Sequence, residues 1–532
     1  MEQARVRHIQ EVIDASGMIV MPGGVDIHTH IAGPKVNVGR ILCPEYHLPV
    51  SVADRAVHAD RTVHREMTSG VRGVLPSTSV TGYLYALMGY TTVVEAAVPP
   101  LKARHAHEEL DDIPICDKLA LILVGNNHFV LEYIRRKDYE HLADYVSWLL
   151  HMTRGYGIKV VNPGGIEAWK WGLDINGLDD RVPGFDVTPR EVVRALLKVR
   201  DMLGLPHPVH LHTNNLGIPG NVDTTLATMK ITEEDIGVDV PDLHVCHVQF
   251  SSYGKEYGFS SGAEAISSYV NAHPNISVDV GQVMFGDTLT MTADAPLEFR
   301  LARQMNSKWA NGDVEMECGS GVLPIRFRAK DRASAVQWIT GLELFLLIED
   351  PWRVFLSTDH PNGASFTRYP EIIGLLMDAA RRRDYISAIN PKAMRGTVLS
   401  DLEREYTLGE IATVTRAAPA RRLGLSSKGN LAPGSDADIA IYEPKADPVE
   451  TFARARYVIK GGEVVVRDGA IVSVPRGTTF FVSPSGDRDP QQAFGRIRRE
   501  VEDAFRRYYS VDLTNYGAGP GIPHRGEAIK CG

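Results

Sequence analysis

Short β-branched runs recur along this chain, separated by longer helical or irregular stretches, and that alternation calls for a parallel sheet with crossover connections. Eight runs are legible: Val25–His30, Thr91–Ala97, Leu119–Val124, Ile158–Val161, Pro208–His212, Leu243–Val248, Ile276–Val283 and Arg353–Ser357. One connecting helix announces itself. Thr188-Pro-Arg-Glu191 is a capping box with proline at the first helical position, Val192 to Leu203 carries the apolar positions, and Gly204 is the stop. Eight strands with crossovers predict a (β/α)8 TIM barrel, enlarged by insertions because such barrels usually take about 250 residues. The long stretches after the first, fourth and seventh runs are where the extra chain goes.

At 532 residues the chain has room for more than the barrel. Beyond Pro433 the pattern changes to short alternating strands, Ala437–Tyr442, Ala455–Ile459 and Glu463–Arg467, with Lys460-Gly-Gly462 as a hairpin turn. A charged helical pattern then runs from about Asp487 to Tyr509, ahead of a Gly/Pro-rich tail. The expected organisation is an α/β barrel over 24–433, a small flanking β-sandwich module from 1–23 plus 434–484, and a C-terminal helical extension over 485–532. The mixed signs of Arg496–Arg507 read as a solvated helix face or a site for an anionic ligand.

Composition narrows the partners. Hydrophobic residues make up 44% and charged residues 23%, so disorder is excluded, and a net charge of −9 with dispersed basic residues argues against a nucleic-acid-binding face. There is neither a basic-then-apolar leader nor an uncharged apolar run near 18 residues, so export and membrane spanning are not expected. The five cysteines (Cys43, Cys116, Cys246, Cys318 and Cys531) form no CxxC pair, which speaks against a disulfide framework and against a cysteine-ligated zinc or iron–sulfur site, and for a reducing cytoplasm.

The strongest chemical signal is Val25-Asp-Ile-His-Thr-His30. Alternation along a strand sends His28 and His30 to one side, and on a first barrel strand that side is the interior at the catalytic end. Two imidazoles one pleat apart can chelate one divalent ion. Lys159 sits in the β-branched run Gly157-Ile-Lys-Val-Val161, where an unpaired ammonium is costly to bury. Carboxylation by carbon dioxide would make it an anionic bridge between two metals; Lys159 paired to a nearby acid is the plainer reading, and Lys170, between two tryptophans, the weaker bridging candidate. In Val209-His-Leu-His-Thr213, His212 is preferred to His210 because it lies at the strand's end. In Leu243-His-Val-Cys-His-Val248, His247 is preferred to His244 on the same ground, and Cys246 is expected to point away and be inert. Asp359, just past the eighth run, serves as a ligand and a proton shuttle or, more simply, as a helix N-cap; His360 has no clear role and reads as a supporting group beside it or as a solvent or core residue.

Four histidines, a lysine and an aspartate in this order resemble the binuclear amidohydrolase superfamily. Gly429-Asn-Leu-Ala-Pro-Gly-Ser-Asp-Ala-Asp-Ile439 and Val458-Ile-Lys-Gly-Gly-Glu-Val464 are similar to the β-sandwich segment of that superfamily, although only residues 1–23 precede the first motif, where members normally place two or three strands. A narrower resemblance covers nearly the whole chain: Ile31-Ala-Gly-Pro-Lys-Val-Asn-Val38, Asn162-Pro-Gly-Gly165 with Trp169-Lys-Trp-Gly172, His210-Leu-His-Thr-Asn-Asn-Leu-Gly217, His247-Val-Gln-Phe-Ser-Ser-Tyr-Gly254 and Tyr508-Tyr-Ser-Val-Asp-Leu-Thr-Asn-Tyr516 are similar to the A-type subunits of the formylmethanofuran dehydrogenase family, whose bacterial members belong to formyltransferase/hydrolase complexes. The resemblance implies two zinc ions, methylofuran or methanofuran as the formyl carrier, partner subunits including a formyltransferase subunit, and hydrolysis of an N-formyl amine to formate and the free amine. Asn126, His128, Asn162, Trp169, Asn214 and Asn215 stand as candidate substrate contacts. Two other readings compete: a cyclic-amide hydrolase of the hydantoinase or dihydroorotase type, and a noncatalytic scaffold that kept the barrel.

Overall fold

The computed structural model describes residues 11–44, 74–312, 321–484, 490–517 and 526–531. Eight parallel strands form the core of the chain: Gly24–Thr29, Tyr90–Val98, Asp117–Leu123, Gly157–Val161, Val209–His212, Leu243–Val245, Ile276–Asp279 and Val354–Phe355. They pair in chain order, each with the next. The ring nearly closes where Thr29 meets His360 in a parallel bridge and the His30 N–H donates to the His360 carbonyl at 2.7 Å. This is a TIM barrel. The third, fourth and fifth strands are buried along their whole length, because helices cover the outer face while side chains fill the inner one. The helix Pro189–Met202 begins at the Thr188/Glu191 capping box and buries Val192, Val193, Leu196, Leu197 and Val199.

The last four observed strands are shorter than the apolar runs: the sixth ends at Val245 rather than Val248, and the seventh at Asp279 rather than Val283. His247 has φ 34°, and a left-handed residue ends strand geometry. Asn162 (φ 42°) and Asp359 (φ 50°) turn the chain in the same way after the fourth and eighth strands.

The small sheet has five strands. Ile19–Pro22 lies antiparallel to Ile439–Tyr442, followed by Tyr457–Lys460, Glu463–Arg467 and Ala470–Ile471. Gly461 and Gly462 have φ 58° and 84°, as a two-residue hairpin turn of the mirror-image type requires. Thr479–Ser483, grouped with this module by sequence position, instead pairs in parallel with Lys118 and Leu119 of the third barrel strand, and Gly526–Lys530 pairs with it. The reason is an overhang. The fourth strand joins the third only from Leu121 onward, leaving Lys118 and Leu119 an open edge that the later strand covers.

A buried ionic brace ties the small sheet to the barrel. Lys428 Nζ lies 2.6 Å from Asp117, 2.8 Å from Asp436 and 3.0 Å from Asp438, and Lys460 Nζ reaches Asp117 at 2.7 Å and Asp438 at 3.0 Å. The helix Pro490–Tyr508 packs against Tyr139–Thr153 and buries Phe494, Ile497, Val501 and Phe505, an i, i+3, i+4 stripe. Arg496, Arg498 and Arg499 face outward, as on a solvated helix face. Asp487, where the helical pattern was expected to start, lies outside the described residues.

Candidate metal centre

His28, His30, Lys159, His212, His247 and Asp359 all line one pocket at the carboxyl ends of the barrel strands. Five strands or their exits deliver them. The first strand presents both histidines from the same side of the pleat, the fourth supplies Lys159, the fifth ends on His212, and the left-handed turns after the sixth and eighth aim His247 and Asp359 inward.

Asp359 Oδ1 lies 3.1 Å from both His28 Nε2 and His30 Nε2. Its other oxygen accepts from Thr292 Oγ1 at 2.7 Å and Asn362 Nδ2 at 2.9 Å, which fixes the carboxylate with one oxygen facing the histidines. Each histidine is steered from behind. Glu95 Oε1 is 3.2 Å from His30 Nδ1, while its Oε2 accepts from the backbone N–H groups of Ile31 and Ala32 at 2.7 and 2.8 Å. His28 Nδ1 is 2.8 Å from His210 Nε2 and 3.3 Å from Asp279 Oδ2. His212 Nε2 lies 3.1 Å from Asp294 Oδ1.

Three wholly buried polar atoms converge here without completing a hydrogen bond: His28 Nε2, His247 Nδ1 and Asp359 Oδ1. Buried polar atoms normally have partners, and a divalent ion would satisfy these. The donor set of imidazoles, one carboxylate and one lysine suits zinc or another ion tolerant of nitrogen and oxygen. The charge states of His212 and Asp359 agree with that use. Burial, helped by His247 and Lys159, holds the His212 imidazole well below its ordinary value and so neutral. Burial would raise the Asp359 carboxyl, but His247, His28 and His30 overcome it and hold the group well below the usual range, ionised. His28 is the exception: burial would discharge it, but Asp279 outweighs burial and favours the proton, which an ion must displace to be held there.

The remaining sequence expectations fall elsewhere. His210 is spent between His28 and His207 Nε2, 3.0 Å away, and His244 between Asp279 Oδ2 and Ser277 Oγ, both at 3.0 Å. Lys170 is exposed and paired with Glu167, away from the pocket. His360 is buried; its Nδ1 accepts from the Phe366 N–H at 3.3 Å. None of Asn126, His128, Asn162, Trp169, Asn214 and Asn215 is among the described pocket-lining residues. Asn126 spends its side chain on the Val161 and Asn162 carbonyls and the Ile166 N–H, Asn214 donates to Asn162 Oδ1 at 2.7 Å, and Asn215 donates to the Asn176 carbonyl. His128 packs its ring against Phe129 and Phe185, and Trp169 against Phe299. These residues shape the loops around the pocket.

Cys246 corrects the expectation that it points away. Lys159 Nζ is 2.8 Å from its Sγ, and His247 Nε2 is 3.3 Å from it. Burial opposes ionisation, but His247 and Lys159 together draw the thiol well below its ordinary value. Sequence reasoning also missed Lys35 and Thr292 in the pocket lining and Asp279 and Glu95 behind it. The signal for Lys35 was its place in the Gly-Pro-Lys loop directly after the two histidines. The pocket encloses roughly 630 Å³, counting its open mouth, with Pro34, Val38, Ala97, Pro99, Leu123, Val161 and Val322 among its apolar walls.

Comparison with known proteins follows the same lines. Residues 11–466 match the amidohydrolase family. The protein FwdA of Methanocaldococcus jannaschii is 47% identical over 537 aligned positions, covering 98% of this chain and 92% of that protein. The A-type subunit of the formyltransferase/hydrolase complex Fhc of Methylorubrum extorquens is 39% identical, covering 93% of this chain and 88% of its own. The solved structure of the M. extorquens complex FhcABCD with methylofuran contains a chain that superposes with a TM-score of 0.87 at 36% identity, covering 99% of this chain and 94% of that one.

Proposed function

The chain belongs to the amidohydrolase family, and on that premise we propose that it hydrolyses a linear N-formyl amine, formyl-methylofuran or formylmethanofuran, to formate and the free amine. The observation that carries this reading is the pocket itself, in which six ligand-type residues from five strands meet, in a chain that matches one component of a formyltransferase/hydrolase complex over nearly its full length. In this reading His28, His30, Lys159, His212, His247 and Asp359 would hold two divalent ions, zinc first among them, and Lys159 would do so as its carboxylated form. When bound, the ions supply an acidified water and a Lewis acid for the formyl oxygen.

The chain's own residues do the rest. Asp359, with Oδ2 held by Thr292 and Asn362, turns Oδ1 into the pocket, where besides facing an ion it would take the proton of the attacking water and return it to the departing amine nitrogen, acting as general base and then acid. Glu95 and Asp279 orient the first-strand imidazoles, a supporting arrangement that fixes which ring nitrogen faces the ion. The apolar walls exclude bulk water around the reacting carbonyl, and Lys35 places a cationic side chain in the lining where formate would leave or enter. The enzyme sets no equilibrium, so coupling to other subunits decides the direction. We further propose that it works in a complex with a formyltransferase subunit, in the cytoplasm; among the described residues no helix is long and apolar enough to cross a membrane.

The test is direct. Purified protein with zinc is expected to release formate from formyl-methylofuran and to leave hydantoin and dihydroorotate intact. Hydrolysis of either ring at a comparable rate, with none of the formyl amine, refutes the proposal.

A further inference from the structure

We propose that Cys246 is a thiolate ligand of the ion held by His247, so that this centre is a mixed nitrogen, oxygen and sulfur site. The inference rests on the reading of the pocket as a metal centre and adds a donor to it.

The sulfur is placed as a ligand would be. Its Sγ, one ring nitrogen of His28 and one of His247 lie within 4.8 Å of one another, and all three residues are buried. The gap from Sγ to His247 Nε2 is 3.3 Å. A tetrahedral zinc with bonds of about 2.3 Å to sulfur and about 2.0–2.1 Å to nitrogen separates those atoms by roughly 3.6 Å, so small movements admit the ion. A second observation points the same way, since each of the two rings grouped with that sulfur carries a buried nitrogen without a hydrogen-bond partner, His28 Nε2 and His247 Nδ1. Cys116 gives the contrast. It is equally buried, yet among the described residues its Sγ is hydrogen-bonded to the carbonyl oxygens of Gly82 and Tyr90, at 4.0 and 3.7 Å, as an ordinary core thiol is.

Lys159 supplies the remaining argument. As an ammonium 2.8 Å away it is a suitable neighbour for sulfur. Carboxylation turns that neighbour into an anion, and a sulfur beside it then needs a cation between them. Binding the ion displaces the thiol proton, which leaves to solvent, so no oxidant or reductant is involved. The local backbone explains why this position can reach inward: the sixth strand stops at Val245, and the left-handed turn at His247 suspends alternation, so Cys246 and His247 both serve the same interior. Thiolate favours zinc over manganese or magnesium, which gives the residue a role in metal choice.

The experiment is zinc X-ray absorption on the full chain loaded with zinc alone, beside Cys246→Ser and Cys246→Ala variants, together with the ultraviolet thiolate-to-metal absorption of the cobalt-loaded protein. The expected result is a sulfur scatterer at about 2.3 Å that both variants lose, along with the cobalt charge-transfer band. Preference for zinc over manganese in competition should also fall by about 10–100-fold in Cys246→Ser, the scale of losing a ligand or its support. A zinc-loaded wild type with nitrogen and oxygen scatterers only overturns the thiolate ligand while leaving the metal reading intact. A sulfur signal that persists in both variants assigns it to another cysteine and also overturns the proposal. A wild-type chain that takes up no zinc overturns both readings. Because the wild-type spectrum alone can refute the proposal, poor folding of a variant does not protect it.

Discussion

Asp359→Asn is the substitution that separates chemistry from metal assembly, and the contacts of Asp359 set what it should do. Asparagine has the same shape, so the question is which way its amide lies. An ion requires the amide oxygen where Oδ1 is now, which turns the NH2 toward Thr292 Oγ1 and Asn362 Nδ2, both of which donate to Asp359 Oδ2. The Thr292 hydroxyl can rotate to accept, and the Asn362 amide can exchange its ends because its Oδ1 has no hydrogen-bond partner. Re-forming two neutral hydrogen bonds in place of two charge-assisted ones costs about 1–3 kcal/mol, so the fold and most of the metal should survive. Proton transfer should not survive, since an amide oxygen is no base for water. The expected loss is about 10²–10⁴ in turnover, or roughly 3–5 kcal/mol of barrier. Zinc by elemental analysis and formate release should be measured on the same preparations. A variant that keeps two zinc ions and hydrolyses the formyl amine at near the wild-type rate defeats the assignment of Asp359 as proton carrier. A variant that loses its zinc shows instead that the carboxylate charge is required for assembly.

Further expectations follow from the same contacts. His30→Ala, His212→Ala and His247→Ala should each reduce zinc content, whereas His244→Gln, whose ring faces Asp279 and Ser277, should retain it; equal losses, measured by elemental analysis, would show that distance from the pocket is not what matters. Lys159→Ala should abolish activity, and added short carboxylic acids should restore part of it by supplying the missing bridge; no rescue with zinc retained counts against carboxylation. Lys428→Met removes one member of a buried charge cluster and should destabilise the chain by about 3–5 kcal/mol in denaturant unfolding, with an unchanged midpoint as the contrary result. Burial would raise the Asp117 carboxyl, but Lys460 and Lys428 hold it below its ordinary value. Its stabilisation is therefore fully present above the unfolded value of about 3.9 and lost as pH falls through the lower folded value, so Asp117→Asn should be less stable than wild type at pH 7 and approach it in strong acid.

The barrel was readable because its strands are buried on both faces, and such strands announce themselves as continuous apolar runs whatever they pair with. His28 and His30 were readable for a related reason, since they straddle the last residue of one strand, close enough to its end to keep their parity. Cys246 was misjudged because parity holds only while the strand lasts, and a backbone turn at His247 has no marker in the side-chain sequence. Thr479–Ser483 was grouped with the wrong sheet because alternation identifies a strand but not its partner; the partner was set by an edge left open at Lys118, more than three hundred residues earlier. Asp279 escaped notice since one acid in a buried strand gains meaning only when His28, His244 and the His247 N–H are found around it.

The pairing of Ile19–Pro22 with Ile439–Tyr442 bears on how the chain is made. The earlier strand leads directly into the metal-binding strand, yet its partner is synthesised some 420 residues later. At about 5–20 residues per second, that delay is roughly 20–85 s, far longer than local helices and hairpins need to form. Throughout it, an apolar strand next to the future metal site has an unsatisfied edge open to neighbouring nascent chains. The strand that leads into the metal-binding strand therefore stays uncovered through most of the barrel's synthesis, and the small sheet closes over it only after the eighth barrel strand has been made.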